Sequence, residues 1–350
     1  MQTKILKINS ADIDTASMQE AAAFIRAGEL VAFPTETVYG LGADALRPEA
    51  SAKIYEAKGR PSDNPLIVHI ADFGQLAQIA GELPPLAKIL ADAFWPGPLT
   101  MVVWKNERVP LETTGGLSTV AVRMPDHPVA LRLIEESGCM IAAPSANISG
   151  RPSPTEAGHV ALDMDGKIPL ILDGGAVGIG IESTIIDLTE ETPLILRPGY
   201  ITKEMLERAL GQEVRTDPAI TGVGDCGRPK APGMRYKHYA PKAELVLVEG
   251  ESEAVVAHIN RLSKEHMAAG QRVGVIATDE TLAAYTSNDA VSIGARADED
   301  AIARQLYRIL REFDARSVDI IYSESFATPR IGQAIMNRLL KAAGHQVIKV

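Results

Sequence analysis

Leu30-Val31-Ala32-Phe33-Pro34-Thr35-Glu36-Thr37-Val38-Tyr39-Gly40-Leu41-Gly42 is the stretch on which the fold turns. Residues 30–33 form a short apolar strand, broken at Pro34. Beyond it come two hydroxyls, an acid and a tyrosine, then two glycines that let backbone approach a ligand closely. A capped strand-to-helix turn would use the same residue types, so this piece alone leaves both readings open.

Upstream, Ser17-x-x-Glu20 reads as a capping box opening a helix with apolar Met18, Ala21, Ala22 and Ile25, stopped at Gly28. Downstream, strand-like runs lie at 66–70, 99–104, 120–124, 140–143, 170–172, 184–188 and 194–196. Helical patterns lie at 50–57, 85–94, 128–137 and 202–210. The last three strands follow one another directly, which predicts antiparallel pairing and a mixed α/β sheet. Residues 215–241 hold four Gly and four Pro with little apolar periodicity, the composition of a linker. Strands at 244–249, 272–277, 318–322 and 346–349 then alternate with helices near 251–268, 298–313 and 329–343, the rhythm of a small, mainly parallel domain. The division expected is 1–212, a linker at 213–241, and 242–350.

Charge narrows the function. The chain carries 35 basic and 45 acidic residues, net −10, which argues against a protein that wraps nucleic acid non-specifically. Residues 228–241 nonetheless hold four basic residues and no acid. Two cysteines without a CxxC pair exclude a disulfide framework and a cysteine zinc site, and fit a reducing compartment. No long apolar segment opens the chain and no run of 18 apolar residues occurs, so a cytoplasmic protein without membrane span is expected. There is no GxxxxGK[ST], no GxGxxG after the first strand and no GxSxG.

The chemistry must therefore come from scattered polar segments. Lys58-Gly59-Arg60-Pro61-Ser62-Asp63-Asn64-Pro65 reads as a stiff loop whose two cations and amide suit a phosphate. His69 is the odd polar residue on its strand. The Gly/Ser/Thr loop 113–119 leads into a strand ending at Arg123. Ala143-Pro144-Ser145-Ala146-Asn147, with Ser153 behind it, Glu182-Ser183-Thr184 and Leu196-Arg197-Pro198-Gly199 complete the set.

PTETVYGLG, KGRPSDNPL, PSAN, ESTI and LRPG, in this order and spacing, resemble the YrdC-type family, and PGMRYKHYAP at 232–241 resembles the linker of its longer, two-domain form, the L-threonylcarbamoyladenylate synthases. The resemblance implies an N-terminal YrdC-like mixed twisted sheet with helices and a smaller C-terminal α/β, Rossmann-like domain. It also implies a nucleotidyl transfer: L-threonine, bicarbonate and ATP give threonylcarbamoyl-AMP and pyrophosphate. The product would pass to a separate tRNA threonylcarbamoyl transferase, so direct tRNA binding is not required. Carried over by residue, threonine would be held by Thr37, His69, Arg123, the Ala143 backbone and Ser183. ATP would be held by Arg60, Asn64, Thr119, Ser145, Ser153, Arg197 and Arg235, with Lys58 and Arg60 catalytic and Mg2+ arriving with the triphosphate. No covalent intermediate is needed, which agrees with the missing nucleophile motif. The linker would cover the site as a lid. The rivals are an RNA-binding module, opposed by the charge, and carbamoyl-adenylate chemistry on another acceptor, opposed by the linker motif and extra domain.

Overall fold

The computed structural model describes residues 2–221, 238–326 and 328–350. The chain divides into two units. The first comprises Met1–Ser149, Ser153–Gly178 and Glu182–Arg235, the second Gly150–Pro152, Ile179–Ile181 and Tyr236–Val350.

The strands of the first unit are β1 (Lys4–Lys7), β2 (Val31–Phe33), β3 (Gly40–Asp44), β4 (Ile67–His69), β5 (Leu99–Trp104), β6 (Thr119–Arg123), β7 (Ile141–Ala142), β8 (Leu170–Asp173), β9 (Thr184–Asp187), β10 (Leu194–Arg197) and β11 (Arg215–Thr216). They form one mixed sheet in the order β1-β8-β2-β3-β7-β4-β6-β5-β9-β10-β11. Alternation along each strand gives the sheet two different faces. Ala32, Leu41, Val68, Val120, Val122, Met101 and Ala142 point into the large core, which the helices Pro48–Lys58 and Pro85–Phe94 join through Ile54, Ala87 and Leu90. On the other face, Val31, Phe33, Ile141 and Ala143 pack with Met18 and Ile25 of the helix Thr15–Arg26 and Leu133 of the helix Pro128–Ser137. Farther along that face lies a small patch of Ile67, Val102, Ala121, Ile185 and Leu196.

Several expectations are corrected. The first helix is capped not at Ser17 but at Asp14, whose carboxylate accepts from the Ser17 N–H and hydroxyl at 2.8 and 2.7 Å. Gly40–Asp44, not among the strand-like runs, is a strand. A Cβ on Gly42 would stand 2.7 Å from both Phe33 and Ile141, so the glycine admits neighbouring side chains into the sheet. Residues 170–173 pair in parallel with β1 and β2, not antiparallel with β9, while β9 and β10 pair antiparallel as expected. Lys58 is no loop residue: it ends the helix Pro48–Lys58, which Gly59 terminates at φ +60°. Within the stretch read as linker, β11 pairs with β10 and Pro218–Thr221 forms a 3-10 turn.

The second unit holds β12 (Glu244–Glu249), β13 (Val273–Ala277), β14 (Asp289–Ser292), β15 (Ile320–Glu324) and β16 (Val347–Lys349), ordered β14-β13-β15-β12-β16 with every pairing parallel. This is the expected small parallel domain, with β14 as an added edge strand. Its polar segment Tyr322-Ser323-Glu324-Ser325 is a buried network. Glu324 accepts from the Tyr285 hydroxyl at 2.9 Å and from Thr281 and Arg296, while Arg296 also reaches the Ser325 carbonyl at 3.0 Å.

Candidate active site

The candidate residues gather on the second face of the first sheet, around the small apolar patch. Thr119, Ala121 and Arg123 alternate along β6, as do Ile67 and His69 along β4, Thr100 and Val102 along β5, and Ser183 and Ile185 at β9. β4 and β6 run parallel with His69 opposite Arg123, so both side chains leave one end of the strand pair. Thr119 lies at the other end of β6, four residues and about 13 Å away. Near that end the loop 60–65 packs on the glycine loop: a Cβ on Gly115 would stand 2.9 Å from the Asp63 carbonyl. The candidates thus fall into two groups, one at each end of β4 and β6.

Arg123 is the centre of the first group. It is 4% exposed. Nη1 donates to Thr37 Oγ1 at 2.9 Å, Nε donates to the Gly97 carbonyl at 3.3 Å, and Nη2 lies 2.5 Å from Glu36 Oε1. The Thr37 hydroxyl also meets Thr35 Oγ1 at 2.9 Å, and Thr35 donates to the Val38 carbonyl at 2.7 Å. The segment 34–39 therefore folds over the sheet to bring Thr37 onto Arg123. His69 faces the Phe33 ring edge-on, with centroids 6.2 Å apart. Its Nδ1 lies 3.1 Å from the Ile67 carbonyl, which can only accept, so Nδ1 carries the proton. Burial, and then the neighbouring Arg123 charge, push the imidazole down to about 3, so it is neutral at ordinary pH. Ala143 N–H donates to Ile67 at 2.8 Å, which leaves the carbonyl as the group its backbone can offer.

Ser183 and Arg197 meet directly. Arg197 Nη2 donates to Ser183 Oγ at 3.1 Å and Nε to the Ser183 carbonyl at 3.0 Å, and Ser183 Oγ lies 2.7 Å from Thr100 Oγ1. An irregular register between Ile195 and Arg197 re-aims the arginine. Ser153 donates to Glu182 at 2.5 Å.

In the second group Lys58 Nζ donates to the carbonyls of Ser145 and Asn147, both at 2.5 Å, pinning the PSAN segment to a helix end. Gly40 and Ser145 form a β-bridge, so the two glycine-rich and serine-rich segments lie side by side. Arg60 turns back on its own loop, donating to the Asn64 and Pro65 carbonyls at 3.3 and 3.0 Å. Asn64 is buried and its side-chain oxygen receives no hydrogen bond. Arg235, and most of the expected lid, lie outside the described residues. Sequence reading missed Glu36 and Thr100 as members of the site. Thr100 had a signal, a lone hydroxyl at an alternate position of an otherwise apolar strand.

Among the described residues no group of three His, Cys, Asp or Glu side chains could hold a metal ion. No helix is long and apolar enough to cross a membrane.

A mixed sheet with an arginine-centred polar site, and a small unit built on a parallel sheet, define a two-part α/β protein. The family model described as "Telomere recombination" matches residues 23–199, and that described as "Threonylcarbamoyl-AMP synthase, C-terminal domain" matches residues 201–344. The chain is 52% identical over 331 residues to the threonylcarbamoyl-AMP synthase of Bacillus subtilis (strain 168), covering 94% of each. It is 52% identical over 338 residues to that of Pyrococcus abyssi, covering 97% of each. The crystal structure of P. abyssi Sua5 complexed with L-threonine matches with a TM-score of 0.94 at 50% identity, over 99% of this chain and all of that one. The chain belongs to the threonylcarbamoyl-AMP synthase family.

Proposed function

We propose that the protein makes L-threonylcarbamoyl-AMP from L-threonine, bicarbonate and ATP with release of pyrophosphate, supplying N6-threonylcarbamoyladenosine modification of tRNA beside the anticodon. The observation that carries this reading is the 52% identity to the B. subtilis synthase over nearly the whole of both chains. The two groups of side chains support it. Arg123, with Thr37 and His69 beside it, suits a small carboxylate ligand, because a buried guanidinium recognises a carboxylate strongly. At the other end Lys58, Arg60, Asn64, Thr119 and Ser145 would hold the nucleotide, with Ser153 and Arg197 reaching it from beside Ser183, and magnesium would enter on the triphosphate, held mainly by phosphate oxygens and water.

Threonine's amine and bicarbonate form a carbamate with loss of water, and the carbamate's carboxylate attacks the α-phosphorus and expels pyrophosphate. The protein's task is positioning and charge stabilisation. Neutral His69 can take a hydrogen bond at Nε2 without repelling Arg123, and Lys58 and Arg60 offset phosphate charge. Hand-over of the adenylate to a tRNA transferase belongs to the same proposal.

The test is conversion of ATP to pyrophosphate that depends on both threonine and bicarbonate. Arg60→Ala and Ser145→Ala should each lower the rate, Arg60→Ala by about 100-fold, the scale for loss of one charged transition-state contact. Undiminished activity in both variants would break the site assignment, and turnover without added threonine would break the functional reading.

A further inference from the structure

Glu36 sits at the centre of the PTET segment, yet nothing in the reaction as derived uses it. Its side chain is 11% exposed and its Oε1 lies 2.5 Å from Arg123 Nη2. That approach is an ion pair without hydrogen-bond geometry. Neither Glu36 oxygen, and not Arg123 Nη2, makes a hydrogen bond to any described residue. The neighbours are occupied: the Thr37 and Thr35 hydroxyls bond each other, Thr35 bonds the Val38 carbonyl, and Arg123 Nη1 and Nε are taken by Thr37 and Gly97. His127, which feels the Glu36 charge, uses Nδ1 to cap the helix Pro128–Ser137. Buried polar atoms left without partners are rare, and they collect where a ligand completes them.

Glu36 Oε1 and Arg123 Nη2 thus stand side by side as an ion pair, neither with a hydrogen bond, and Glu36 Oε2 is a buried acceptor with none either. An α-amino acid presents the complementary pair, a carboxylate and an ammonium on one carbon. We propose that Glu36 holds the α-ammonium of the amino-acid substrate while Arg123 holds its carboxylate, which makes Glu36 the residue that selects an amino acid over a hydroxy acid. This rests on the reading that threonine binds at Arg123 and Thr37. The zwitterion enters an environment already neutral in sum, so neither of its charges is left unpaired on burial. Held there, the nitrogen that later joins bicarbonate has a fixed position.

The experiment compares L-threonine with (R)-3-hydroxybutyrate, which keeps the carboxylate and hydroxyl but lacks the amine. Affinities are read by calorimetry and by inhibition of pyrophosphate release, with circular dichroism to verify folding. Wild type should prefer threonine at least 10-fold. Glu36→Gln should weaken threonine 10- to 100-fold and leave hydroxybutyrate within about threefold of its wild-type affinity. Equal weakening of both ligands would mean that Glu36 only positions Arg123, and would overturn the proposal. Should Glu36→Gln fail to fold, Glu36→Asp gives the same comparison, with threonine weakened and hydroxybutyrate unchanged. If threonine binding is unaffected by the Glu36 variants but lost in Arg123→Ala, this inference fails while the function stands. If Arg123→Ala and Thr37→Ala also bind threonine normally, the threonine site itself is wrong.

Discussion

His69 and Arg123 face each other across two parallel strands, and each shapes the other's chemistry. Burial first, and then the Arg123 charge, hold His69 near 3, well below the ordinary value of 6.5. An unfolded chain would take up a proton at this position between pH 6.5 and 3, and the folded protein does not. Stability therefore falls on acidification through that window, by at most about 1.4 kcal/mol per pH unit. His69→Gln, which cannot titrate, should remove about 2 kcal/mol of the pH dependence between pH 7.5 and 5, read from urea unfolding at the two pH values. Parallel stability curves for variant and wild type would refute this. His69 was visible in sequence as the odd polar residue of an apolar strand. Its pairing with Arg123, 54 residues later, depended on strand register, which spacing along the chain does not encode.

At the scale of elements, the turn after β10 shows how tightly the site is framed. A Cβ on Gly199 would lie 2.4 Å from the Thr184 nitrogen and 2.7 Å from the Ser183 carbonyl carbon. Gly199→Ala must displace that turn, and Arg197 or Ser183 with it. The expected cost is about 1–3 kcal/mol of stability by overpacking, together with at least a tenfold loss of pyrophosphate release. A variant with wild-type melting and activity would disprove the close contact. Most strands and helices were legible, because their apolar runs and periodicity are local signals. β3 was not: its glycines carry no apolar alternation, and antiparallel pairing with β2 and β7 makes it a strand. Lys58 differs from its reading as a loop residue because the helix runs one residue beyond its apolar pattern, through Lys58 to the cap at Gly59.

At the scale of the molecule, every described candidate site residue belongs to the first unit. The edge of the first unit is sharper in the structure than in the composition. Val214 is fully buried, and the Arg215 and Asp217 N–H groups donate to Pro193 and Ile195 at 2.8 and 3.0 Å. A chain ending at 221 should unfold cooperatively, whereas one ending at 212 should be less stable by about 2–4 kcal/mol, from one buried valine and the lost strand bonds. Urea midpoints of the two fragments check this, and equal midpoints would show that β11 adds nothing. Composition and spacing by themselves determined the α/β class, the order of the polar segments and the absence of a phosphate-loop or nucleophile-elbow motif, because these are properties of neighbouring residues. Which segments meet was settled only in three dimensions. Sheet order sets β6 between β4 and β5, a loop folds Thr37 onto Arg123, and burial leaves Glu36 with acceptors that no local pattern announces.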